Sequence, residues 1–192
     1  MRSAVAGLFV GGTATRMGGI AKGLMRLPGG GPTLVARWCA TLEGLCTEVV
    51  LVGRHPAYAP LGIESLADEP PGIGPLGGLV ALLRRGGNAH VLAFACDMPF
   101  VGRALVERLV GFAGDSPAVA PRRDGKWEPL CARYDPRRIL PVALDHVRLD
   151  HRSLQRLLDA AGATELPLEG REAEELRDWD TPEDATPGQS AR

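Results

Sequence analysis

Long apolar runs are missing from this 192-residue chain. No stretch approaches the ~20 residues that span a bilayer, so an integral membrane protein is not expected. Charge of one sign is missing as well. Twenty-two basic residues stand against 23 acidic ones for a net charge of −1, which leaves no bulk field to hold nucleic acid or a membrane surface. Cys39, Cys46, Cys96 and Cys131 form no CxxC and no zinc spacing, which excludes a redox motif and favours the cytosol. Cys39 and Cys46 fall seven apart on an expected helix, where a shared buried face accounts for them. Four histidines, His55, His90, His146 and His151, show neither metal spacing nor a nucleophile's partner pattern. Lysine is scarce: Lys22 and Lys126 stand alone among arginines. No GxxxxGK[ST] occurs, since Lys22 follows Ala21 and precedes Gly23, and this excludes a P-loop NTPase. No internal repeat or low-complexity block is present.

What remains reads as one α/β domain, large enough to bury roughly 70% of its unfolded surface without staples. Val5–Val10 is apolar without alternation, as a strand buried on both faces should be; the Gly-Gly and Arg16 after it argue against a signal peptide. Leu24–Leu27 reads as a short extended piece closed by Pro28-Gly29-Gly30-Gly31. Leu34, Val35, Trp38, Leu42 and Leu45 recur at helical spacing from Thr33. Strands are expected at Val49–Val52, Ile63–Leu66 and Val91–Ala95, and helices at Pro75–Leu83 and Arg103–Phe112. Strand and helix alternating at this spacing imply an open, mostly parallel sheet with right-handed crossovers. After Ala118–Pro121 the pattern changes. Arg122–Gly125 reads as a polar turn, Trp127–Tyr134 as extended, Ile139–Leu144 and Ser153–Ala161 as helices, and Thr164–Leu168 as a last strand. Trp127 and Tyr134 read as packing residues. Residues 186–192 are expected to be a disordered tail.

The chemistry gathers where strands end. A buried strand emptying into Gly11-Gly12 lets backbone N–H groups approach an anion, with Arg16 and Lys22 as the cations to neutralise a phosphate. Asp68 follows the third strand and Asp97 the fourth. Each alone has a plain explanation as a turn residue. Together they bring cations and carboxylates to the rim where open α/β sheets bind ligands, an arrangement that suits a polyphosphate with Mg²⁺. Asp97 is the stronger metal candidate, because a carboxylate after so apolar a strand needs a cation to offset its desolvation. Asp178 and Asp180 could supply a second carboxylate, although Asp180-Thr181-Pro182-Glu183 also fits a helix cap. Gly72-Ile73-Gly74-Pro75-Leu76-Gly77 matches G-x-G-x-x-G literally. Its separation from the preceding strand by Asp68–Pro71, and the donor that Pro75 removes, argue against a dinucleotide turn.

The string FVGGTATRMGGIAKGLMRL resembles the L-A-G-G-x-x-x-R-M-G-x-x-K-x-L signature of the molybdenum cofactor guanylyltransferases and their MobA-like relatives. Asp68 with Gly74-Pro75-Leu76-Gly77 resembles that family's D…GPLxG segment, Cys96-Asp97-Met98-Pro99 its C-D-x-P, and Asp178–Asp184 its N-x-N-T-P-E-D close. The resemblance implies a three-layer α/β/α sandwich of the nucleotide-diphospho-sugar transferase type. It implies nucleotide contacts at Phe9, Val10, Gly11, Gly12, Arg16, Lys22, Asp68, Gly74, Pro75, Leu76 and Asp97, with Mg²⁺ on Asp97 and with Arg16, Lys22 and Asp97 catalytic. Residues 1–121 would then form the nucleotide-binding half of one domain, 1–185, and residues 122–185 the acceptor half, around Glu128-Pro129-Leu130 and Arg152-Ser153-Leu154. The chain departs from the pattern in four places: Ala21 replaces the acid before the loop lysine, Val10 the alanine of L-A-G-G, Asp178 and Asp180 the closing asparagines, and Leu51-Val52-Gly53 stands where an asparagine is common after the second strand.

The expected reaction is transfer of GMP from GTP to molybdopterin with release of pyrophosphate, in a cytoplasmic enzyme that touches molybdoenzymes or their chaperones transiently. A CTP-dependent or sugar-phosphate nucleotidyltransferase stays open beside it, as does a non-catalytic nucleotide-binding partner in molybdoenzyme assembly.

Overall fold

The computed structural model describes residues 4–11, 21–177 and 179. Strand β1 (Ala4–Phe9) is buried at all six positions. Helix α1 (Leu34–Leu42) starts where Thr33 Oγ1 accepts the Ala36 N–H at 3.2 Å, a side-chain cap for an otherwise unmet donor. There follow β2 (Glu48–Val52), β3 (Ser65–Leu66), α2 (Pro75–Gly86), β4 (His90–Ala95), α3 (Arg103–Gly111) and β5 (Ala118–Ala120). The second part adds β6 (Arg122–Arg123), β7 (Lys126–Trp127), β8 (Cys131–Tyr134), α4 (Pro136–Arg148), α5 (Leu154–Ala160), β9 (Thr164–Glu165) and α6 (Glu172–Glu175). None of the described helices is long and apolar enough to cross a membrane.

Seven strands form one sheet in the order β3-β2-β1-β4-β8-β5-β9. All neighbours run parallel except β8, which is antiparallel to both β4 and β5. The two-residue period of a strand sorts its side chains onto two faces. Ala4, Ala6, Leu8, Leu51, Leu92 and Phe94 join α1 and α3 in one core, with Trp38 stacked on Phe94 at 4.5 Å. Val5, Phe9, Val50, Val52, Val91 and Ala93 join α2, α4 and α5 in the other. The architecture is the expected three-layer α/β/α sandwich with a mostly parallel sheet.

Several boundaries differ from the expected ones, each for a local reason. Ile63–Leu66 pairs only at Ser65–Leu66, on the sheet's edge. Leu24–Leu27 is not extended throughout: Lys22–Leu24 makes a 3₁₀ turn, and only Arg26 bridges to Thr33. The polar turn at 122–125 is a hairpin joining β6 to β7, since Asp124 (φ 51°) and Gly125 (φ 75°) adopt the left-handed pair that two-residue loops need. Trp127–Tyr134 is broken by Pro129 between β7 and β8. The helix expected at Ile139–Leu144 runs from Pro136 to Arg148, because Asp135 accepts the Arg137 N–H at 3.0 Å and Pro136 suits the first turn. Thr164–Leu168 pairs only at Thr164–Glu165, with Pro167 beyond. A 3₁₀ segment at Pro56–Leu61 and the short α6 are additional to the expected elements.

Candidate active site

Strand register builds the rim. Phe9 pairs with Val52 on one side and Ala95 on the other, and Val52 pairs with Leu66, so four parallel strands end level. The chain leaves them through Val10-Gly11, Gly53, Ala67-Asp68 and Cys96-Asp97. The chain crosses from β1 to β2 through α1, and from β3 back past β1 to β4 through α2, so the switch point lies beside the β1 tip.

At that tip two backbones nearly touch. Val10 N and Gly11 N both donate to Val52 O, at 3.0 and 3.2 Å. Gly53 has φ 101°, and a Cβ on it would meet Gly11 Cα at 2.7 Å. Any side chain at position 53 would collide with the Gly11 main chain.

Lys22 and Asp97 meet. The 3₁₀ turn Lys22–Leu24 presents Lys22 Nζ 3.4 Å from Asp97 Oδ2, with the two side chains 30% and 26% exposed. The Asp97 main chain is pinned by its neighbours: Cys96 N donates to Phe9 O at 3.1 Å, and Trp179 N donates to Asp97 O at 2.7 Å. The residue missed in the sequence is Tyr58. It lies in a proline-bounded segment after β2, is 1% exposed, and accepts the Gly23 N–H at 3.0 Å. An isolated aromatic between Pro56 and Pro60 beside a strand tip was the available signal.

Asp68 is half-buried against the start of α2, where a Cβ on Gly78 would lie 3.3 Å from Asp68 Oδ1. Burial pushes its carboxyl above the usual carboxylate range. The glycines of the G-x-G-x-x-G run serve close packing here: a Cβ on Gly77 would meet Pro70 O at 2.5 Å. Gly74 and Pro75 are exposed, whereas Leu76 is buried in the core beneath them. Gly12, Arg16, Asp178 and Asp180 lie outside the described residues.

The later segment approaches the same rim. Leu130 O accepts the Ala95 N–H at 2.8 Å, two residues from Asp97, and Arg123 Nε pairs with the Glu128 carboxylate at 2.8 Å. Arg152 Nη1 donates to Gly72 O at 3.5 Å, while Ser153 caps α5 and Leu154 is buried. Trp127 is a packing residue, held by Asp159 at 2.7 Å and covered by the Arg122 guanidinium at 3.8 Å. Tyr134 is fully buried.

Among the described residues no three acidic, histidine or cysteine side chains converge as a ready-made metal cage. A lone carboxylate at the strand tip is compatible with a divalent cation that takes most of its ligands from a bound nucleotide and water.

Comparison with known proteins bears on the family and the fold. The MobA-like NTP transferase domain matches residues 6–165. A molybdenum cofactor guanylyltransferase of Pseudomonas putida is 35% identical over 159 residues, covering 79% of this chain and 80% of that protein. One from Pseudomonas entomophila is 32% identical over 188 residues, covering 92% and 93%. Among solved structures, molybdopterin-guanine dinucleotide biosynthesis protein A of Archaeoglobus fulgidus superposes with TM-score 0.75 at 25% identity, covering 95% of this chain and 94% of that one. The 2-C-methyl-D-erythritol 4-phosphate cytidylyltransferase of Thermus thermophilus shares the fold, with TM-score 0.68 at 19% identity and 96% of each chain covered.

Proposed function

The chain belongs to the MobA-like NTP transferase family, and on that premise we propose that it transfers GMP from GTP to molybdopterin, releasing pyrophosphate. The observation that carries the reading is the convergence of Lys22 and Asp97 beside the β1 tip, in a chain whose guanylyltransferase relatives match it over most of its length. GTP enters at the level strand ends, with its base toward Phe9, Val10, Gly11, Asp68 and the Gly74–Leu76 turn. Because position 53 carries no side chain, the base is met by main chain there. Lys22 and Arg16 steady the β- and γ-phosphates, and the loop at Gly11-Gly12 lies along them.

The acceptor comes from the side of Glu128–Leu130 and Arg152–Leu154, the half formed by residues 122–185, with residues 1–121 forming the nucleotide half. Its phosphate oxygen attacks the α-phosphorus in line. A bond forms from that oxygen to phosphorus, and the bond to the β-phosphate oxygen breaks, so GTP and the phosphorylated acceptor become the dinucleotide and pyrophosphate. The nucleophile is already anionic, so no general base is needed, and the protein's part is positioning and charge neutralisation. Asp97 is the residue that would hold Mg²⁺, and the chemistry the ion would supply there is Lewis-acid polarisation of the α-phosphate. Lys22 balances the charge that gathers on departing pyrophosphate. A unit-charge contact at ~4 Å in an effective dielectric near 20 is worth about 4 kcal/mol. Confined to the transition state, that corresponds to nearly three decades of rate, by roughly 1.36 kcal/mol per decade. The reaction is placed in the cytoplasm, with the product passed on by brief contact with a molybdoenzyme or its chaperone.

The test is pyrophosphate release by the purified protein with GTP, Mg²⁺ and molybdopterin. Release that needs all three supports the proposal. Release with CTP in place of GTP, or none at all, overturns it.

A further inference from the structure

We infer that Tyr58 is a positioning residue for Lys22: its hydroxyl holds the turn that carries the ammonium toward the triphosphate. The first N–H groups of any helical turn lack partners within it. In the turn at Lys22–Leu24, Leu24 N bonds Ala21 O and Met25 N bonds Lys22 O, both at 2.9 Å. The Gly23 N–H, one residue before these two donors, is buried. Tyr58 Oη accepts it at 3.0 Å. A lysine stem is flexible, so the reach of its charge depends on where the backbone starts. Gly23 is the residue next to that start.

Tyr58 is itself fixed. Its N–H donates to His55 O at 3.1 Å, its ring meets His55 edge-on at 5.9 Å, and Gly62 in the left-handed region (φ 65°) closes the segment. The fit around Gly23 is tight: a Cβ there would meet Val35 Cγ2 at 2.8 Å and Tyr58 Oη at 2.9 Å. Burial, with a smaller contribution from neighbouring Cys96, pushes the phenol up to about 12, so the hydroxyl stays neutral at working pH. One residue thus links the turn after β2, the lysine turn and the tip of β4, where Cys96 precedes Asp97. The inference rests on the reading of Lys22 as a triphosphate contact.

The experiment is a double-mutant cycle on the full chain with Tyr58→Phe, Lys22→Ala and the pair. It measures kcat/KM for GTP, the GTP dissociation constant by calorimetry, KM for molybdopterin, and melting temperature. Tyr58→Phe keeps the ring and leaves the Gly23 N–H unmet, so kcat/KM for GTP should fall roughly tenfold. GTP should bind more weakly, while KM for molybdopterin stays unchanged. On the Lys22→Ala background the same change should do nothing further. Gly23→Ala, which pushes on the hydroxyl from the other side, should reproduce the loss and the non-additivity. Additive losses, or an intact Tyr58→Phe beside a damaged Lys22→Ala, overturn the inference and leave the Lys22 reading standing. An intact Lys22→Ala overturns both.

Discussion

The Lys22 ammonium stands 3.4 Å from the Asp97 carboxylate across 75 residues of sequence. Both side chains are part-exposed, and pairs of that kind contribute about 0–1 kcal/mol to stability. The juxtaposition therefore says little about what keeps the protein folded. Its weight lies in placing a cation and an anion together at the strand tips, the pairing that the proposed nucleotide and metal ion would use.

Removing Asp97 separates the two roles. Asp97→Ala should lower turnover by at least about a hundredfold, roughly 2.7 kcal/mol of barrier. The unfolding free energy should change by less than ~1 kcal/mol, because the lost pair is part-exposed. Steady-state kinetics and urea denaturation on one preparation check this, and an unchanged rate removes Asp97 from the mechanism.

Gly53→Ala tests the contact between strand tips. The new methyl would meet the Gly11 main chain at 2.7–2.8 Å, and the residue would have to hold φ 101°. A loss of about 1–3 kcal/mol is expected from the strain, together with weaker GTP binding because Gly11 must move. Denaturation and calorimetry read the two effects, and full stability would show that the tips can part freely.

Asp68 gives a pH-dependent outcome. Burial raises its carboxyl above the ordinary 3.8, so its share of stability is complete below that value and is lost as pH rises through the folded pKa. At about neutral pH the fold thus carries a cost that an amide would relieve. Asp68→Asn should be more stable than the parent at about pH 7 and equal to it near pH 3, by denaturant midpoint. GTP protection should weaken in the same variant, the trade expected of a strained site.

Base choice is read by thermal shift. GTP at 100 times its Kd adds about 2.7 kcal/mol, worth roughly 5–10 °C for a chain of this size. CTP at the same concentration should give far less. A larger shift with CTP would reassign the donor.

The first half of the fold was legible because buried parallel strands are continuous apolar runs and their helices carry clear periodicity. Asp97 could be singled out because Val91–Ala95 is too apolar to tolerate a bare carboxylate. The second half was harder. Short strands such as Lys126–Trp127 and Thr164–Glu165 have no room to show a period, and their pairing is decided by tertiary partners. The Asp124-Gly125 hairpin was written in the residues and overlooked, as was the Asp135-Pro136 helix start. Tyr58 illustrates the deeper limit. The aromatic between two prolines marks the residue, but its use lies in a hydrogen bond across 35 residues, a partner that the local pattern does not name.

The antiparallel β8 has a consequence for biosynthesis. Residues Ala118–Ala120 pair with β8 and β9 and with nothing before them, while β4 keeps an open edge until β8 arrives. A nascent chain that has emerged only to residue 121 thus exposes a long unpaired strand edge, the kind that recruits other chains. The first 121 residues and the segment that carries β8 must both have left the ribosome before one sheet can form.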